Sequence, residues 1–172
     1  QPTIHAIMGT AGAAGSSECL RTNLLWALEL LAWHPAHFSR VAGIVFDLQR
    51  FETKDNWSNS PTSTAQSLFR TWLPATSLAV AERMQVLRSL SKQFRSAAVN
   101  ASISLLPGRG PRVAIKPIRP QWRALEQEVP TPTNIDVQEA EIAASRLLLD
   151  LAPFNKAELK KLLEIALRLH PN

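Results

Sequence analysis

The chain has 172 residues, 45% of them hydrophobic and 19% charged, with 19 Lys+Arg against 14 Asp+Glu and a formal net charge of +5. That length suits one domain or two small ones, and a compact fold of this size buries about 70% of its unfolded surface, so a wholly disordered chain is excluded. No uncharged apolar run of about 18 residues is present, which excludes a spanning helix; the single cysteine, Cys19, excludes an internal disulfide and a four-cysteine zinc site.

Thr3 to Met8 is too short to classify, and the glycines at 9, 12 and 15 make the next stretch a loop. Ser16 or Ser17 then caps a helix, with Glu18 favouring its dipole. Leu20, Leu24, Ala27, Leu28 and Leu31 recur at helical spacing, and Leu25 widens that face. Pro35 ends this helix near Trp33-His34 and opens the next, where its missing N–H costs nothing. Phe38, Val41, Ala42, Val45, Phe46 and Leu48 give the second helix a buried stripe to about Phe51. The near-absent connection predicts an antiparallel hairpin.

Lys54 to Thr62 reads as a polar loop. Thr62 or Ser63 caps a third helix carrying Leu68, Phe69 and Trp72 and stopping before Pro74. Ser77 is the cap expected for a fourth, marked by Val80, Met84, Leu87 and Leu90. A fifth begins at Ser96 and ends before Pro107. Residues 107–133 hold six prolines and two glycines and read as an extended loop, with Val113-Ala114-Ile115 as a short strand without a partner. Asn134 or Asp136 caps a sixth helix through Leu151. Asn155 caps a seventh from Lys156 to Leu169, whose apolar face is Leu159, Leu162, Leu163, Ala166 and Leu167. The class is therefore all-α: antiparallel helical hairpins of α-solenoid character with one long Pro-rich loop. A helix running into His-Pro occurs at 28–35 and again at 164–171, a faint repeat.

The expected organisation is a single helical segment over 1–172: a helical core at 17–106, a basic Pro-rich loop at 107–133 and a C-terminal hairpin at 134–172. A start on Gln1 without Met, and an end directly after an amphipathic pattern, suggest a piece of a larger protein. No basic stretch followed by an apolar core opens the chain, so the expected location is cytoplasmic.

Charge is the strongest anomaly. Between Arg83 and Leu125 lie nine basic residues and no acid, whereas the flanking parts net −1 and −3. Arg109, Arg112, Lys116, Arg119 and Arg123 are the candidate polyanion-binding residues of this block, with Trp122 placed to stack on a base. The blander reading is that these charges are solvated or pair with the acidic C-terminal third. His34 and His37 stand in an H-x-x-H pattern without a third ligand, so they are expected to be structural. Cys19 has no basic neighbour except Arg21 and is expected to be packed, not nucleophilic. No phosphate-loop, dinucleotide or nucleophile-elbow motif is present. No catalytic, metal or cofactor site is therefore assigned. Trp26, Trp33, Trp57 and Trp72, with Phe38, Phe46, Phe51 and Phe69, are read mainly as core.

Residues 24–107 carry a resemblance. Trp26-Ala27-Leu28-Glu29-Leu30-Leu31-Ala32-Trp33 leads into Ser39-Arg40-Val41-Ala42, then Asn56-Trp57-Ser58-Asn59-Ser60-Pro61, Ser67-Leu68-Phe69, Trp72-Leu73-Pro74-Ala75-Thr76 and Leu105-Leu106-Pro107. This resembles a helical region of unknown function in large bacterial multidomain proteins, some with defence-type effector or STAND-like ATPase domains. Ser60 departs from the pattern, where a basic residue is expected. The resemblance covers about half the chain and transfers no catalytic residue; it implies a bacterial, repeat-like segment that senses or scaffolds. Two functions are thus expected in order: a non-enzymatic scaffold or sensor contacting protein or neighbouring domains, and, as the alternative, a nucleic-acid-binding module using residues 83–125.

Overall fold

The computed structural model describes residues 16–52, 59–107 and 131–169. Among them are seven α-helices and no strand: α1 (Ser16–Ala32), α2 (Pro35–Leu48), α3 (Pro61–Phe69), α4 (Val80–Ser91), α5 (Arg95–Leu105), α6 (Asn134–Asp150) and α7 (Lys156–Leu169). The expected all-α class is observed. Most of the Pro-rich loop, the Val113–Ile115 strand and the second His-Pro step lie outside the described residues.

Side-chain chemistry sets several helix starts. The amide of Ala36 donates to His34 Nδ1 at 3.2 Å, so His34 caps α2 and Pro35 occupies the first turn. Ser60 and Ser63 form a reciprocal capping box on α3, with Pro61 inside it. This moves the start of α3 ahead of the expected Thr62 or Ser63 cap, and the helix ends at Phe69, before Trp72. Thr133, not Asn134 or Asp136, caps α6; Asp136 supplies the other half of that box. On α7, Asn155 Oδ1 accepts from the amides of Ala157 and Glu158, both at 3.0 Å, as its position suggested.

Ser77 has a different task. Its hydroxyl donates to the Trp33 carbonyl at 2.7 Å and its amide to the same oxygen at 3.0 Å, while Thr76 Oγ1 donates to the Ala32 carbonyl at 2.7 Å. Carbonyls at the end of α1 have no intrahelical partner. The irregular 70–79 segment satisfies them and is thereby strapped across the end of the α1–α2 pair. α4 consequently starts at Val80, behind Ala79, which offers no side-chain acceptor.

α5 organises the packing. Ala97, Ala98, Val99, Ala101, Ser102, Ile103 and Leu105 are all buried, so the helix is covered on all but the side of Ser96, Asn100 and Ser104. It contacts α3, α4, α6 and α7. Its alanines let neighbouring axes approach closely. Ala97, Ala98, Ala101 and Leu105 join the main core with Leu25, Phe38, Phe46, Leu68, Phe69 and Leu87. Val99 and Ile103 turn the other way, into a smaller cluster with Leu148, Leu162 and Ile165. Phe69 packs edge-on against Phe38 at 5.5 Å and beside Phe46 at 5.6 Å, so most of the aromatic side chains read as core do lie there. Trp26, 54% exposed, does not.

α1 and α2 pack on each other across the Trp33-His34 connection, and α1 also reaches α3. Between α1 and α3, Thr64 Oγ1 donates to Glu29 Oε1 at 3.0 Å. Burial holds the Glu29 carboxyl above its ordinary value of 4.5, against the opposing effects of Thr64 and Arg70.

Two predictions follow from this packing. Ala98→Leu overfills the centre of α5 and lowers unfolding free energy in urea by about 1–3 kcal/mol, whereas Ala81→Leu, on the exposed side of α4, stays within about 0.5 kcal/mol. A raised folded pKa at Glu29 means that its favourable contribution is full below the unfolded value and is lost as pH rises through the folded one. Glu29→Gln keeps the acceptor for Thr64 and removes the buried charge. Its urea midpoint should therefore exceed that of the parent at pH 7, the advantage closing as pH falls toward 4.5.

Candidate functional site

The basic block separates into three groups. Arg109, Arg112, Lys116, Arg119 and Arg123 lie outside the described residues, as does Trp122. Lys92 is exposed. Arg83, Arg88 and Arg95 are engaged within the fold, and the last two meet acids of the C-terminal third, the pairing that the blander reading of the block anticipated.

Arg88 forms an ion pair with Asp150, both side chains being more than half exposed. Arg95, at the start of α5, is a clamp: Nη1 faces Glu158 at 3.2 Å, Nη2 donates to the Leu151 carbonyl at 2.5 Å and to the Pro153 carbonyl, and Nε also reaches the Leu151 carbonyl at 3.2 Å. Its guanidinium lies 5.9 Å from the Phe154 ring centroid. One arginine thus holds the α6–α7 turn onto α5, with Glu158 5% exposed beneath it. Glu158 simultaneously accepts from the Asn155 amide at 2.9 Å. Arg83 is deeper still, 1% exposed, with Nη1 donating to the Arg70 carbonyl at 2.7 Å.

The burial of this cation was missed from the sequence, although a signal was available. Arg83 stands three residues after Val80 and four before Leu87, on the stripe assigned to the core.

Beside the Arg95 clamp lies a polar cleft of about 440 Å³, lined by Phe46, Gln49, Arg50, Phe94, Arg95 and Asn100 among others. Arg50 stacks over Phe94 at 5.8 Å and pairs with Asp47 at 3.2 Å; Asn100 accepts from Lys161 at 2.8 Å. Both arginines of the cleft therefore face carboxylates of the fold itself, so it presents little uncompensated charge.

The α7 surface is different. Its inward side is Glu158, Lys161, Leu162 and Ile165, held through Arg95, Asn100 and the small cluster behind α5. Leu159, Leu163 and Leu167 recur every four residues on another side and are 46%, 62% and 73% exposed. Four of the five apolar residues expected to face a core, Leu159, Leu163, Ala166 and Leu167, are therefore turned outward, and Leu162 alone packs inward. An α-helix that carries leucines in two directions satisfies one of them against α5 and leaves the other in water. Ile135, Ile142 and Leu149 on α6 are also exposed, seven residues apart, as are Leu20, Leu30 and Leu31 on α1. Isolated exposed leucines are ordinary; those of α7 share one side of a single helix.

His34 and His37 stack with ring centroids 5.4 Å apart, and His34 serves as the α2 cap. No group of three metal-capable side chains occurs among the described residues. The side chain of Cys19 lies outside them. Set beside family models, curated proteins and solved structures, the chain matches none.

The two ion pairs should differ sharply on truncation. Arg95→Ala removes several charge-assisted bonds and strands a buried Glu158 carboxylate, costing about 1–3 kcal/mol in urea unfolding. Arg88→Ala, at an exposed pair, costs about 0–1 kcal/mol in the same measurement.

Proposed function

We propose that this chain is a non-enzymatic helical module that docks protein, either a separate partner or a neighbouring domain of a longer bacterial protein, through the outward leucine face of α7. The observation that carries the reading is the exposure of Leu159, Leu163 and Leu167 at four-residue spacing on a helix already anchored by Glu158, Leu162 and Ile165. Such a stripe suits a groove or a second amphipathic helix, with leucines inserting at successive turns. Lys156 and Lys160 lie beside it, so an acidic rim on the partner complements it.

The resemblance to helical regions of bacterial multidomain proteins supports the same role, a sensing or scaffolding segment in the cytoplasm. No helix among the described residues is long and apolar enough to cross a membrane. The polyanion alternative now rests on fewer cations, because Arg83 and Arg95 are engaged inside the fold and Arg88 in a surface ion pair. Protein docking is accordingly preferred over nucleic-acid binding.

A photo-crosslinking side chain placed at 163 or 167 in the producing cell should yield one discrete protein adduct, and the same group at exposed Lys92 should not. No adduct from either leucine position, together with steeply salt-dependent retardation of DNA or RNA, would replace this reading with the nucleic-acid one.

A further inference from the structure

A guanidinium offers five N–H donors. Arg83 is 1% exposed, yet the one hydrogen bond it makes among the described residues is from Nη1 to the Arg70 carbonyl at 2.7 Å. Its Nε is completely buried without a partner. It makes no ion pair within 4 Å among these residues, the nearest opposing influence being Asp136 at longer range. Leaving a buried charge so poorly matched is costly, and burial pushes the Arg83 pKa down to about 10, so the group is still a cation at neutral pH.

The side chain borders a recess of about 70 Å³ walled also by Ser77, Ala79, Val80, Thr131 and Asp136. The recess therefore lies at the N-terminus of α4, a twelve-residue helix whose cap, Ala79, has no side-chain acceptor to offer the first-turn amides. Two independent sources of positive potential, the helix start and a buried guanidinium, meet there.

We infer that this recess is a binding site for a small oxyanion group, carboxylate or phosphoryl, received by the Arg83 guanidinium and the N-terminus of α4. The volume admits only a few heavy atoms, given about 30 Å³ for each water molecule in the liquid. Two acids bear on its charge. Asp136 lines the recess, and its Oδ2 accepts from the Thr133 amide at 2.6 Å and hydroxyl at 2.7 Å. Glu82, exposed on the first turn of α4, accepts from the Ala79 amide at 3.3 Å. Both select against multiply charged groups, so the occupant is singly charged: a carboxylate, or a phosphoryl group in its monoanionic form. Chloride lacks the paired oxygens that a guanidinium fork grips.

The test uses the full chain and NMR of the Arg83 Nε–H together with the Val80 and Ala81 amides. Sodium acetate and sodium phosphate are titrated at pH 6 and constant ionic strength against sodium chloride. Saturable shifts of these three signals with acetate, phosphate or both, absent with chloride, are the expected result; the anion that saturates first identifies the group as carboxylate or phosphoryl. In Arg83→Gln the amide shifts should disappear. Shifts that grow linearly without saturating, or that chloride or Arg83→Gln reproduces, would mean that water alone fills the recess and would overturn the site. Should Arg83→Gln not fold, the parent titration against chloride decides the matter unaided.

Discussion

Most of α5 is buried against protein, the side of Ser96, Asn100 and Ser104 excepted. That constraint governs its composition: alanines where the large helices press in, Val99 and Ile103 where the smaller cluster needs filling, and Arg95 at its first position. α4 and α6 also pack directly on each other, and Ala144 and Leu147 of α6 share the main core with α5. Because α5 belongs to both hydrophobic clusters, loosening it weakens both. The aromatic trio of Phe38, Phe46 and Phe69 and the strap through Thr76 and Ser77 add to a body whose centre is already set.

Charge follows from the same geometry. The α6–α7 turn closes onto the exposed end of α5, where the terminal carbonyls of α6 need donors, and Arg95 supplies them while Glu158 balances it. Arg83 has no such carboxylate within 4 Å among the described residues and keeps a single carbonyl partner for its guanidinium, that of Arg70. The basic block of the sequence is thus several things at once: a clamp, a surface pair and a buried cation. Net charge counted along the chain does not separate these uses.

The seven helices were legible because periodicity and proline positions are local properties, and each expected segment recurs within a few residues. Where expectation and structure part, a non-local partner decides. Ser77 reads as a cap, but the unpaired Trp33 carbonyl claims it, moving the start of α4 to Val80. Thr62 reads as a cap for α3, but its hydroxyl donates to Glu52 at 2.5 Å and Ser60 takes the role. The leucine pattern of α7 shows that the helix is amphipathic without showing which of two leucine directions meets the body; the choice falls to Arg95 and Glu158, 63 residues apart in the chain. Solenoid regularity is a further matter of topology, which no short motif announces. The five cations proposed for polyanion binding lie outside the described residues.

Native-state hydrogen exchange tests the central claim most directly, namely that α5 is the hub and α7 an attached face held by the Arg95 clamp, Asn100 and the small cluster behind α5. The amides of Ala98 to Ser102 should exchange only through global unfolding, and those of α7 through a smaller opening that leaves α1 to α5 protected. Exchange of α5 faster than α1 or α2, or α7 amides as slow as those of α5, would contradict it.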